Sequence, residues 1–119
     1  MAKLTDPEIL TCYCNALANW RYAGYIVFER DAEHGLRRHL PRIMQQDFQE
    51  MLFNFVTNEG GEIDQVAETR EEWRDHWSHH FDLRPIVDGV KIYVETRLKY
   101  SMPEDPDDPV IFVVNIHPA

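Results

Sequence analysis

Apolar residues recur at helical spacing in the first half of this chain and at alternate positions in its last third. Thr5-Asp6-Pro7-Glu8 opens the first helix. Thr5 or Asp6 can cap it, Pro7 fits the first turn and Glu8 favours the positive helix end. Ile9, Leu10, Tyr13, Leu17 and Trp20 then recur at helical spacing, and Gly24 follows. Tyr25-Ile26-Val27-Phe28 fits either a brief strand or the end of an extended helix. Asp31 is the expected cap of a second helix, which runs to Arg38 or Leu40 before Pro41 interrupts it. A third helix starts at Pro41 or Ile43, turns Phe48, Met51, Leu52 and Phe55 inward, and stops at Gly60-Gly61.

Beyond that point the spacing changes. Ile63 and Val66 mark a short strand. Thr69 with Glu72 forms a capping box for a short helix that carries Trp73 and Trp77 on one side. Residues 81–87 read as a strand, Asp88-Gly89 as a hairpin turn, and residues 90–100 as a second strand. In that second strand Val90, Ile92, Val94, Thr96, Leu98 and Tyr100 share one face, with Lys91, Tyr93, Glu95, Arg97 and Lys99 on the other. An acidic, proline-rich connector over residues 101–109 leads to a last strand at 110–117. That strand is apolar on both sides for five residues, so a central, doubly covered position is expected. Asn115 and His117 share a parity at its end. Helices followed by strands predict one α+β domain over residues 1–119: amino-terminal helices on a small antiparallel sheet of three to four strands.

The composition is that of a globular chain, 44% apolar and 12% aromatic in 119 residues. No apolar run approaches the roughly 18 residues of a membrane helix, and no signal-peptide pattern opens the chain. A cytoplasmic protein without a membrane partner is expected. Cys12 and Cys14 are two apart on a helix, point in different directions and are not expected to bond. The net charge of −9 weighs against unspecific nucleic-acid binding. Residues 30–42 run against that trend, with Arg30, Arg37, Arg38, Arg42, His34 and His39.

Three groups of residues are candidates for chemistry. The polar face of the second strand carries Lys91, Tyr93, Arg97 and Lys99, which Asn115 and His117 join if they face the same side, with Arg84 added from the first strand. RNA cleavage by 2′-hydroxyl attack needs a base, an acid and cations for the phosphorane charge, and these side chains can supply them. The alternative is a solvated sheet face. His76, His79 and His80 form the second group. Their spacing does not match a helical i,i+4 ligand pair, and surface histidines at a helix end account for it. The third is the basic stretch, where Arg30, His34 and Arg38 share a helix side and suit either a phosphate, a partner's acidic segment or plain solvent.

Arg84-Pro85-Ile86-Val87-Asp88-Gly89-Val90-Lys91-Ile92-Tyr93-Val94, followed by the last strand, resembles the carboxyl half of the motility quorum-sensing regulator toxins. These are RelE-like messenger-RNA endonucleases with a small α+β fold. The shared pattern is an Arg-Pro pair, a glycine turn, a strand with tyrosine and a final apolar strand ending in a basic residue. Upstream, His34, Arg37 or Arg38, and then Asp47-Phe48 opening a helix resemble the amino-terminal half of uncharacterised domains often grouped with the same superfamily. The resemblance implies a RelE-like fold and a metal-independent ribonuclease without cofactor. His117, Tyr93 and Arg84 would be catalytic; Lys91, Arg97, Asn115 and Arg38 would bind substrate; no residue would hold metal. RNA and a cognate protein partner, as in toxin–antitoxin pairs, would be its ligands. His117 stands where the family has lysine. The competing expectation is a non-catalytic acidic interaction protein, which would use residues 104–108 to hold a basic partner.

Overall fold

The computed structural model describes residues 2–99 and 109–119. The fold is α+β, and its sheet is larger than expected: among the described residues there are seven strands, of mixed direction, and four helices. The strands are β1 (Ala2–Lys3), β2 (Ile26–Phe28), β3 (Asp64–Ala67), β4 (His79–Leu83), β5 (Ile86–Val87), β6 (Val90–Lys99) and β7 (Val110–Pro118). The helices are α1 (Pro7–Ala18), α2 (Arg30–His39), α3 (Gln45–Thr57) and the single turn α4 (Glu71–Arg74). The sheet runs β1-β3-β4-β6-β7-β2, with β5 paired to β6. All pairings are antiparallel except β2 with β7.

Two features account for the strands that the alternation did not reveal. The run at 25–28 does form a strand, lying parallel to β7 with Ile26 opposite Ile111 and Phe28 opposite Val113. A three-residue strand is too short to show a period of two. The expected strand at 81–87 is split into β4 and β5 at Arg84-Pro85, and β5 turns back on β6 through Asp88-Gly89. Asp88 (φ 51°) and Gly89 (φ 79°) are both in the left-handed region, as a type I′ hairpin requires.

The helix ends follow local chemistry. Asp6 accepts from the Glu8 and Ile9 amides at 2.9 and 3.3 Å and caps α1, with Pro7 in its first turn. Asp31 does not cap α2, which begins at Arg30 behind Glu29; Asp31 lies in its first turn, where the helix dipole favours it. The Thr69–Glu72 capping box does not form. Glu68 takes the Arg70 amide at 3.1 Å and grips the Arg70 guanidinium, so the chain is fixed one residue before Thr69.

Helices α1, α2 and α3 cover one face of the sheet. Tyr13, Ala16 and Leu17 of α1, Ala32 and Leu36 of α2, and Phe48 and Leu52 of α3 are buried with Leu83, Ile92, Val94, Leu98, Ile111, Val113 and Ile116. Thr96 is the polar member of this layer. Its hydroxyl donates to the Phe81 carbonyl at 2.6 Å and accepts from the Tyr13 hydroxyl at 2.6 Å. Helix α2 lies closest to the sheet at Gly35: a Cβ there would stand 2.2 Å from the Ile116 carbonyl oxygen.

β7 does not keep strict alternation. Glu95 is opposite Asn115 and Thr96 is opposite Val113, so Val114 is an extra residue in a β-bulge. Without it, Asn115 and His117 would share the core side with Ile111 and Val113. With it, Ile116 replaces them in the core, and Asn115 and His117 turn to the outer face of the sheet.

Candidate functional site

On the outer face the side chains fall into cross-strand rows. One row is Arg84, Tyr93 and His117: the Tyr93 and His117 rings are 4.8 Å apart, and the Arg84 guanidinium lies 5.4 Å from the Tyr93 ring centre. The next row is Asp64, Asp82, Glu95 and Asn115, in register across β3, β4, β6 and β7. Val66 pairs with His80 and Arg97 with Phe112 in the row beyond.

In the first row His117 is half-buried at the end of β7. Its Nδ1 lies 2.8 Å from the Pro118 carbonyl oxygen. A carbonyl only accepts, so Nδ1 donates in this contact. Tyr93 behaves differently. Burial, and then the negative charges of Asp82 and Glu95, hold its phenol well above the ordinary tyrosine range; its hydroxyl bonds to Asp82. It is a hydrogen-bond donor and a flat ring, not a base. Arg84 forms an ion pair with Asp64 on β3, which fixes the guanidinium over the ring. Lys91 is exposed on the outward side of β6, two residues from Tyr93.

The remaining sequence candidates are placed elsewhere. Arg97 is 1% exposed, under the Trp73 ring at 4.5 Å and between Glu68 (3.1 Å) and Glu95 (3.2 Å). Its N–H groups point off-line from both carboxylates, so the pairing is Coulombic rather than well hydrogen-bonded. A phosphate could reach it only by displacing Trp73 and a carboxylate; its role is structural. Asn115 is half-buried in the carboxylate row. Arg38 is exposed on α2, on the helix side of the sheet, apart from His117.

Sequence reasoning missed the carboxylates that organise this face. Arg70 bridges Glu68 (2.8 Å) to Glu95 (2.6 Å), and with Arg97 the four charges cancel. Hydrogen bonds from Arg70 hold the Glu68 carboxyl down at about 2. Asp82, almost fully buried, holds both Tyr93 and His80, whose Nδ1 is 2.7 Å away. The alternation did carry a signal, since Asp82 lies between Phe81 and Leu83 and faces the same side as Glu95. The outer face is therefore neither a solvated surface nor an open cationic patch. Trp73 and Trp77 cover part of it, Trp77 against Phe112 at 6.0 Å.

The histidine cluster is dispersed by the strand itself. His79 and His80 are neighbours in β4 and point to opposite faces, while His76 lies beyond α4. Among the described residues no group of three or more His, Cys, Asp or Glu is placed to hold a metal ion. Among the same residues no helix is long and apolar enough to cross a membrane. The acidic segment 104–108 lies outside the described residues. No protein-family model, curated protein or solved structure matches this chain.

Proposed function

We propose that this protein is a metal-independent RNA endonuclease of the RelE-like toxin type, acting at the row Arg84–Tyr93–His117. The observation that carries the proposal is the convergence of an oriented imidazole, a neutral phenol and a guanidinium within 4.8–5.4 Å on one side of the sheet. His117 Nε2 removes the 2′-hydroxyl proton, O2′ bonds to phosphorus and the P–O5′ bond breaks. The imidazolium so formed, or water, returns a proton to O5′. The products are a 2′,3′-cyclic phosphate and a free 5′-hydroxyl. Tyr93, whose hydroxyl is held by Asp82, offers its ring to stack on a base. Arg84 and Lys91 supply positive charge to the phosphorane. Arg97 drops out of the substrate-binding set and supports the site from below through Glu95.

The test is cleavage of a single-stranded RNA by the purified chain in a chelator, beside His117→Ala and Tyr93→Phe. Losing the base should slow cleavage by about 10²–10⁴-fold. Losing the phenol hydroxyl should have a smaller effect, with the ring still in place. No cleavage by folded protein, or equal rates in all three forms, would remove the ribonuclease assignment.

A further inference from the structure

At the end of the sheet that carries Pro118, on the helix side, a pocket of about 270 Å³ opens between the α2–α3 connection and the β5–β6 hairpin. Its floor is aliphatic, with Leu40, Ile43, Val87 and Ile92, and its rim carries His39, Arg42 and Asp88. Val90 lines the pocket at 49% exposure, and Met44 (73%) directly follows the lining residue Ile43. Isolated exposed aliphatics are ordinary, but exposed aliphatic surface continuous with an apolar pocket is of the kind that marks an interaction surface.

Charge identifies the occupant. The chain as a whole is at −9, yet Arg42 lines the pocket beside Asp88, the exposed Arg37 and Arg38 lie in the last turn of α2 that leads to it, and none of the three arginines pairs with a carboxylate among the described residues. Every carboxylate-paired arginine lies elsewhere. At about 270 Å³ the pocket has room for one large anchoring side chain. Aliphatic walls separate protein from nucleic acid. Bases are held by stacking on aromatic planes, and among the described residues no Phe, Tyr or Trp lines the pocket.

We infer that this corner docks a segment of a partner protein that places a large apolar side chain in the pocket and acidic residues against Arg38 and Arg42. Apolar anchoring supplies the affinity, and the charges set the partner's orientation and encounter rate. The inference does not rest on the ribonuclease proposal, since the pocket and the His117 row are on opposite faces of the sheet.

The test is selection of a random 12-residue peptide library against the full chain, followed by titration of one synthesised consensus peptide. The consensus should combine a Leu, Ile, Phe or Trp with neighbouring Asp or Glu. Its affinity should fall at least tenfold for Arg42→Glu and for Val90→Asp, and stay unchanged for Lys99→Glu on the outer face. A peptide with its acids changed to Lys should regain binding to Arg42→Glu. Failure to select any peptide, a consensus without acids, or affinity indifferent to Arg42 and Val90 would overturn the inference. So would displacement of the peptide by a 12-nucleotide single-stranded RNA that itself depends on Arg42 and Val90, which would give the corner to nucleic acid.

Discussion

On the outer face of the sheet Arg70, Arg84 and Arg97 each lie against a carboxylate, whereas Arg37, Arg38 and Arg42, near the C-terminal end of α2, pair with none among the described residues. The same side chain does two kinds of work. Where Trp73 excludes water, a guanidinium has to be neutralised, and Glu68 and Glu95 are held beside it for that purpose. Where water is present, pairing returns little, and the charge stays available to an incoming partner. A basic residue in a strand is therefore no better evidence for phosphate binding than one on an exposed helix; its neighbours decide.

Removing Arg97 should give the largest effect. Arg97→Met leaves Glu68 and Glu95 buried with only Arg70 between them, and breaking such a buried network costs about 3–5 kcal/mol. Urea denaturation measures it directly. A variant within 1 kcal/mol of the parent would mean that the methionine packs as well under Trp73 as the ion did, and that the network does not hold this face together. Gly35→Ala should come next. The new methyl meets the Ile116 backbone, which cannot swing aside, so α2 must lift from β7 at a cost of about 1–3 kcal/mol. It should loosen the basic corner while leaving the charge network intact, and amide exchange in α2 should rise more than in β4.

The two regions also differed in how far they could be read from the chain. The alternation in β6 was legible: Ile92, Val94, Thr96 and Leu98 are all on the core side. So were the Asp88-Gly89 turn and the α1 cap, because each depends on adjacent residues. The pairing of Arg97 was not, since its partners arrive from residue 68, from a register position on its own strand and from a tryptophan on α4. Nor was the bulge at Val114 visible. Asn115 and His117 share a parity, but which face they share depends on one extra residue that only the pairing with Glu95 and Thr96 defines. The strand pattern grouped His117 with Tyr93 and Arg84 only on the condition that it faced their side; the bulge is the physical reason that it does.

Acid sharpens the contrast further. Glu68 has its folded carboxyl lowered from 4.5 to about 2 by Arg70 first, with Arg97 adding to it. Above pH 4.5 that stabilisation is fully present. As pH falls from 4.5 toward 2, the unfolded chain binds a proton that the folded chain still refuses, so stability drops across that window. Glu68→Gln should be less stable at neutral pH and lose less between pH 5 and pH 2. Parallel pH profiles for the two proteins would show that Glu68 is not the carboxylate that senses acid here.

The smallest effect belongs to the unpaired arginines, and its smallness is informative. Arg38→Ala combined with Arg42→Ala removes two exposed cations with no ion-pair partner among the described residues, so stability should stay within about ±0.5 kcal/mol of the parent. Salt provides the finer measurement. Exposed charges interact over a Debye length of roughly 10 Å at 0.1 M, and these two lie in a chain of net charge −9. Any long-range attraction they feel should fade between 20 and 500 mM salt, bringing variant and parent together at the higher concentration. A loss of 2 kcal/mol that persisted in high salt would mean that Arg38 or Arg42 is held by a short-range pair after all. The basic corner would then be part of the folded structure's own support, built on the same rule as the outer face, and not a surface kept open for a partner.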